Sequence, residues 1–175
     1  YWVNSVNSPI VLANHVAKTL NIKYALKSIV FNSVFYPELS SLPPLNYRHK
    51  TAHSRYRISI LGGVNFDSRN YIDFLRGLSS LPTSLSHRLT FIIAGGGKDR
   101  ESLINLIESM SLCDVFEFLE LDLDSNKVGY FSYYKAIADS DAVLVLPGPG
   151  YADVKITSAL PSAISFCKPI IINSL

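Results

Sequence analysis

The chain has 175 residues, 48% of them hydrophobic and only 17% charged, with a formal net charge of +2. That length and apolar content fit one domain, or one domain with part of another, and exclude a disordered chain. No basic block points to nucleic acid, and no apolar run approaches the roughly 18 residues of a membrane-spanning helix. The first element is a helix: Ser8 suits an N-cap, Pro9 the first helical position, and Ile10, Ala13, Val16, Ala17 and Leu20 recur at helical spacing. "KSIVFNSVF" (27–35) reads as a strand. The following stretch, to about residue 57, carries three prolines and no periodicity, which makes it the best linker in the chain.

From Arg57 the pattern is regular. "RISILGG" (57–63) predicts a strand, and 68–81 a helix with Tyr71, Phe74, Leu75 and Leu78 on one face. "LTFIIAGGG" (89–97) is a second strand, followed by a helix over 99–112 with Leu103, Leu106, Ile107 and Met110 inward. A strand over 115–121, a helix over 130–141, a strand over 142–147, a helix over 155–167 and a strand over 168–173 complete the series. Continuously apolar strands alternating with helices predict an α/β fold: a doubly wound, mainly parallel, Rossmann-like sheet with helices on both faces.

Ligands of such sheets bind at the carboxyl ends of the strands. Three loops placed there are glycine-rich: "GGVNFDSRN", "GGGKDR" and "PGPGYADVK". Glycine lets a backbone approach a ligand closely, and a helix N-terminus beside it favours phosphate. Arg69, Lys98, Arg100 and Lys155 all stand at these loop–helix junctions, and four cations on one rim suggest an anionic ligand. The glycines also read as plain turn formers, and Lys98, Arg100 and Lys155 as solvated surface charges. No loop matches the dinucleotide or Walker fingerprint. His15, His49, His53 and His87 lie away from the glycine loops and read as surface residues. Asp122 and Asp124 lack the further ligands of a cation site and read as a polar loop. "YFSYYK" (130–135) reads as helix packing, although it starts beside a ligand-facing loop.

The order and spacing of "IIAGGGKDRESL", "YYKAIADSDAVLVLP" and "FCKPII" resemble the C-terminal half of retaining GT-B glycosyltransferases, over nearly the whole chain. The resemblance implies residues 1–35 as the tail of an N-terminal acceptor domain and 36–56 as a hinge. It implies 57–175 as a Rossmann-like domain that binds a nucleotide-diphosphate sugar. Gly63 stands where the family places a diphosphate-contacting arginine, and Arg69 where it places a lysine. The two glutamates the family carries around the last loop and helix fall on Val154 and Ser162, so both carboxylates are gone. "PGPGYADVKITS" then has the layout of a diphosphate cradle, with Lys155, Thr157 and Ser158 near the phosphates, and Pro161 as an alternative helix start.

The candidate donor- and phosphate-binding residues are therefore Gly62, Gly63, Arg69, Gly95, Gly96, Lys98, Gly150, Lys155, Thr157, Ser158 and Ser162. No catalytic residue, metal ligand or cofactor is assigned; the nucleotide-sugar is the donor substrate. The implied function is sugar transfer, with the isolated chain inactive because the acceptor half is elsewhere. The alternatives are a non-catalytic binding or scaffold module on the same fold, and a nucleotide-sugar epimerase. Cys113 and Cys167 have no metal spacing and fit a reducing, cytoplasmic setting; no signal peptide is recognised. The start at Tyr1 and the apolar close "PIIINSL" lead to the expectation of a segment of a longer protein.

Overall fold

The computed structural model describes residues 10–11, 14–25, 27, 29–30, 51, 54–148 and 157–172. Two short strands, β1 (Ile10–Val11) and β2 (Ile29–Val30), pair in parallel around helix α1 (Asn14–Tyr24). The first helix thus starts later than its sequence suggests. Ile10 and Val11 are β-branched and pair with the equally β-branched Ile29 and Val30, and that tertiary pairing overrides the local capping signal. Ser8, Pro9 and most of the linker stretch lie outside the described residues.

The main body is a five-stranded, all-parallel sheet built from β3 (Tyr56–Leu61), β4 (Leu89–Ala94), β5 (Phe116–Phe118), β6 (Ala142–Val145) and β7 (Ile170–Ile172), in the order β5-β4-β3-β6-β7. Its crossovers carry α2 (Tyr71–Ser79), a short α3 (Thr83–Ser86) not foreseen in the sequence, α4 (Arg100–Ser109), α5 (Tyr130–Asp139) and α6 (Ala159–Ser165). This is the doubly wound, Rossmann-like arrangement that the β–α alternation predicts.

Strand alternation sorts the core onto two faces. Ile58, Ile60, Phe91, Ile93 and Leu144 pack with Tyr71, Leu75 and Leu78 of α2 and Leu103 and Ile107 of α4. Leu61, Ile92, Ala94, Val143 and Val145 pack with Ala136 and Ile137 of α5, with Ala159 and Ala163 of α6, and with Phe166 just beyond it. Ser59 is the polar exception within β3; its hydroxyl donates to Ala136 O (3.1 Å) and meets Ser140 Oγ, so it is buried but satisfied. The expectation that every strand is covered fails at β7. Ile170, Ile171 and Ile172 are exposed on an edge strand.

Element ends have local causes. β3 stops at Leu61 because Gly62 takes φ +90°. Helix α2 starts at Tyr71 rather than near 68 because the Asn70 side chain accepts from Asp73 N (3.3 Å) as its cap. The predicted strand 115–121 shrinks to β5, entered through a 3₁₀ turn at Cys113–Val115. Thr157 Oγ1 accepts from Ala159 N (3.3 Å) at the start of α6, and Pro161 falls in the first turn, where its missing N–H costs nothing. Arg57 reaches over β4 from β3 to hold Glu117 of β5 with two hydrogen bonds, at 3.1 and 2.8 Å.

Tyr71 is fully buried, and its hydroxyl has no partner among the described residues. Burial pushes the phenol up to about 12, with Arg69 and Arg100 pulling the other way. Because the folded pKa lies above the ordinary 10.0, this group's contribution to stability is full below pH 10 and is lost as pH rises toward about 12. We expect Tyr71→Phe to match or exceed the parent in stability at neutral pH and to lose less of it in alkali. Urea unfolding of both proteins across this range checks it. A loss above about 1 kcal/mol at neutral pH would mean that the hydroxyl is satisfied after all.

Candidate functional site

At the carboxyl ends of β3, β4 and β5, three loops come together by backbone contact. Gly62 N donates to Ala94 O (3.2 Å) and Val64 N to Gly96 O (2.7 Å), extending the strand ladder into the loops. Glycine is required where the loops touch. A Cβ on Gly95 would lie 2.0 Å from Gly62 O, on Gly96 2.3 Å from Asn126 O, and on Gly97, at φ +140°, 2.4 Å from Val64 O. Gly63 differs: a Cβ there would meet Gly96 O at an ordinary 3.6 Å, and the residue is exposed.

Together these loops enclose an open cleft of ≈ 610 Å³. Gly62, Gly63, Gly95, Gly96, Gly97 and Lys98 form one side; Ser125, Asn126, Lys127, Val128 and Tyr133 form the other. Asp122 shapes the second wall. Its carboxylate accepts from Asp124 N (3.0 Å) and Ser125 N (3.1 Å), and its backbone pairs with Lys127, so it is a turn former, and the hydrogen bonds hold its carboxyl below the ordinary range.

The four rim cations do not share one role. Lys98 lines the cleft but pairs with Asp67, and this exposed ion pair ties the β3–α2 loop to the β4–α4 loop. The hydrogen bond and charge of Lys98 hold the Asp67 carboxyl below the usual range. Arg100 faces inward, against its expected place on the rim. It donates to Gly95 O and Leu119 O, both at 2.6 Å, and lies over the Phe118 ring at 5.0 Å, so it clamps the ends of β4 and β5. Arg69 is buried, 8% exposed, with Nη2 2.6 Å from where a Gly62 Cβ would stand. It therefore sits against the glycine turn instead of projecting from the rim. Lys155 and Gly150 lie outside the described residues.

Between β3 and β6, where the strand order reverses, the loops are zipped together. Asn70 N donates to Leu146 O (3.3 Å), Gly148 N donates to Ser68 O (3.0 Å), and Arg69 pairs with Pro147. Thr157 is buried and occupied as a cap. Ser158 is exposed, and the Ser162 hydroxyl donates back to Ser158 O (2.9 Å). Of the predicted set, then, Gly62, Gly63, Gly95, Gly96 and Lys98 line the cleft, while Arg69, Thr157, Ser158 and Ser162 do not. Sequence reasoning missed Tyr133, which lines the cleft, whereas its neighbour Tyr134 stacks on Phe166 (5.8 Å) as helix packing. Its position after the 121–129 loop was the available signal. Among the described residues, no group of three or more His, Cys, Asp or Glu side chains could hold a metal, and no helix is long and apolar enough to cross a membrane.

No protein-family model matches the chain, and no curated protein matches it. Solved structures do. WaaG, a glycosyltransferase involved in lipopolysaccharide biosynthesis, superposes with a TM-score of 0.67 at 18% identity, over 93% of this chain and 43% of its own. WaaB, a lipopolysaccharide outer core galactosyltransferase, gives 0.62 at 13% identity, over 97% and 43%. A TarM mutant from S. aureus, solved with fondaparinux, α-GlcNAc-glycerol and UDP, gives 0.58 at 15% identity, over 98% and 30%. The fold is that of the GT-B glycosyltransferases. This chain spans less than half the length of each of these neighbours.

Within this GT-B fold the glycines separate into packing and non-packing positions, which mutation can test. We expect Gly95→Ala to destabilise by about 1–3 kcal/mol or more, because the obstructing atom is a backbone oxygen that cannot rotate away. Gly63→Ala should stay within about 0.5 kcal/mol of the parent. Denaturant unfolding of the two variants decides it, and equal effects would contradict the assignment.

Proposed function

We propose that this chain is the nucleotide-sugar-binding part of a glycosyltransferase, the C-terminal half of a retaining GT-B enzyme whose acceptor is held by an N-terminal domain of the same protein. The carrying observation is the lining of the cleft: among the described residues it is glycine backbone and two lysines, Lys98 and Lys127, without a carboxylate. Backbone N–H groups and cations at strand ends favour a phosphate-bearing ligand. The GT-B fold, and UDP in the TarM structure, support a nucleotide diphosphate as that ligand. In this reading Gly63 is glycine for the ligand's sake, since packing does not require it.

The donor lies over Gly62, Gly63, Gly95 and Gly96 with Lys98 beside it. Its diphosphate points toward Arg69, Ser158 and Ser162; Thr157 fixes the start of α6. The chain's part in transfer is positioning, and stabilisation of the departing diphosphate. No resident cofactor is called for, and this chain alone does not transfer sugar.

One observation favours the non-catalytic module instead. Ser162, where the resemblance expects a glutamate, offers only a hydroxyl, and that hydroxyl is already committed to Ser158 O. Titrating the full-length protein with UDP, GDP, ADP and CMP, read by amide chemical shifts, separates the two. We expect one nucleotide to saturate, with shifts concentrated at residues 62–64, 95–98 and 125–128, and weaker binding in Gly63→Ala. Failure of every nucleotide to bind at millimolar concentration would leave the module reading in its place.

A further inference from the structure

Among the described residues, Tyr133 is the one aromatic side chain lining the cleft. Its backbone is fixed in the first turn of α5, where Tyr133 N donates to Gly129 O (3.0 Å), and its ring packs edge-on against Tyr134 (5.7 Å). Tyr134 is in turn stacked on the buried Phe166, so the side chain is braced from behind by core residues. The ring therefore has little freedom, and the side chains of Ser162 and Ser158 at the start of α6 influence its hydroxyl. The charge of Arg69, lying against Gly62, also acts on it.

We propose that Tyr133 is a phosphate-contacting residue of this cleft, whose hydroxyl donates a hydrogen bond to the diphosphate of the bound nucleotide. This inference rests on the donor-site reading above. The chemistry follows from the partners. The Ser162 hydroxyl donates to Ser158 O (2.9 Å), so its proton is already committed within the first turn of α6. An anionic phosphate oxygen is a stronger acceptor than a neutral hydroxyl, because hydrogen bonds to a charged group are roughly twice as strong as neutral ones. A ligand reaching this end of the cleft accepts a hydrogen bond from the phenol, with Arg69 supplying countercharge nearby. Burial, with a smaller push from Tyr134, raises the phenol's pKa; Ser162, Arg69 and Ser158 oppose the rise, and the net effect keeps the donor proton on the oxygen through physiological pH.

The test compares a nucleoside diphosphate with its parent nucleoside, using whichever base the full-length protein binds, in the parent, Tyr133→Phe and Ser162→Ala. Tyr133→Phe keeps the ring and removes only the hydroxyl. We expect it to weaken diphosphate binding about 10-fold or more while leaving nucleoside binding unchanged. Ser162→Ala should cause a smaller loss, again confined to the diphosphate. Unchanged diphosphate affinity in Tyr133→Phe, or equal losses for diphosphate and nucleoside, would overturn the proposal while the donor-site reading stands. If the parent binds neither ligand, the donor-site reading falls and this inference falls with it.

Discussion

The cleft exists because three glycines let three loops touch backbone to backbone. Gly95 sits on Gly62, Gly96 on Asn126 and Gly97 on Val64, each closer than any Cβ would permit. The contacts continue the β3–β4 ladder past the ends of the strands, so the loops inherit the rigidity of the sheet. A surface of backbone N–H groups held this way is preorganised. It binds without first losing loop entropy, the usual cost of recognition by a mobile segment. Everything else at the site is arranged around that floor. Arg100 clamps it from beneath, the Asp122 turn raises the opposite wall, and Tyr133 closes one end.

That arrangement explains a division of labour along the sheet. The reversal of strand order between β3 and β6 is where an open α/β sheet ordinarily admits a ligand. Here the described loops bridge that position through Asn70, Gly148 and the Arg69–Pro147 pair. The open space is displaced toward the carboxyl ends of β4 and β5, between the glycine loop and residues 125–128. Arg69 is consequently enclosed by the bridged loops, and its charge is felt through its surroundings rather than presented directly.

The sheet was legible in the sequence because buried parallel strands are mostly apolar: β6 is wholly so, β4 is broken only by Thr90, and β3 only by Arg57 and Ser59. The faces of α2 and α4 were legible for the same reason: Leu75, Leu78, Leu103 and Ile107 recur at helical spacing and are buried. What local pattern cannot carry is a partner distant in the chain. Ile10 became a strand residue because Ile29 was available to it. Arg100 turned inward because Leu119, nineteen positions away, offered a carbonyl. Asp99 is the N-cap residue of α4, but its side chain accepts from Phe66 N (2.8 Å) instead of capping the helix. In the site, the glycine positions were visible as composition, but which of them pack against backbone is a property of three loops together. The two adjacent tyrosines at 133 and 134 are the sharpest case. One residue of helical rotation sends Tyr134 onto Phe166 and Tyr133 into the cleft, and no propensity distinguishes them.

The cations differ in how far each is committed to the fold, and this bears on which can answer a ligand. Arg100 is half-buried and makes two hydrogen bonds to carbonyls at strand ends, so withdrawing it would strip those acceptors of a charged donor. Lys98 is paired with Asp67, with both side chains largely in solvent. An exposed pair of this kind contributes little to stability, since water and salt screen it. Lys98 can thus turn from Asp67 to a phosphate at small cost, while Asp67 remains solvated outside the cleft lining. The glycine floor and Arg100 then act as the fixed frame, and Lys98 as the adjustable charge. On the donor-site reading, this is how a cleft with so few charged groups answers an anion.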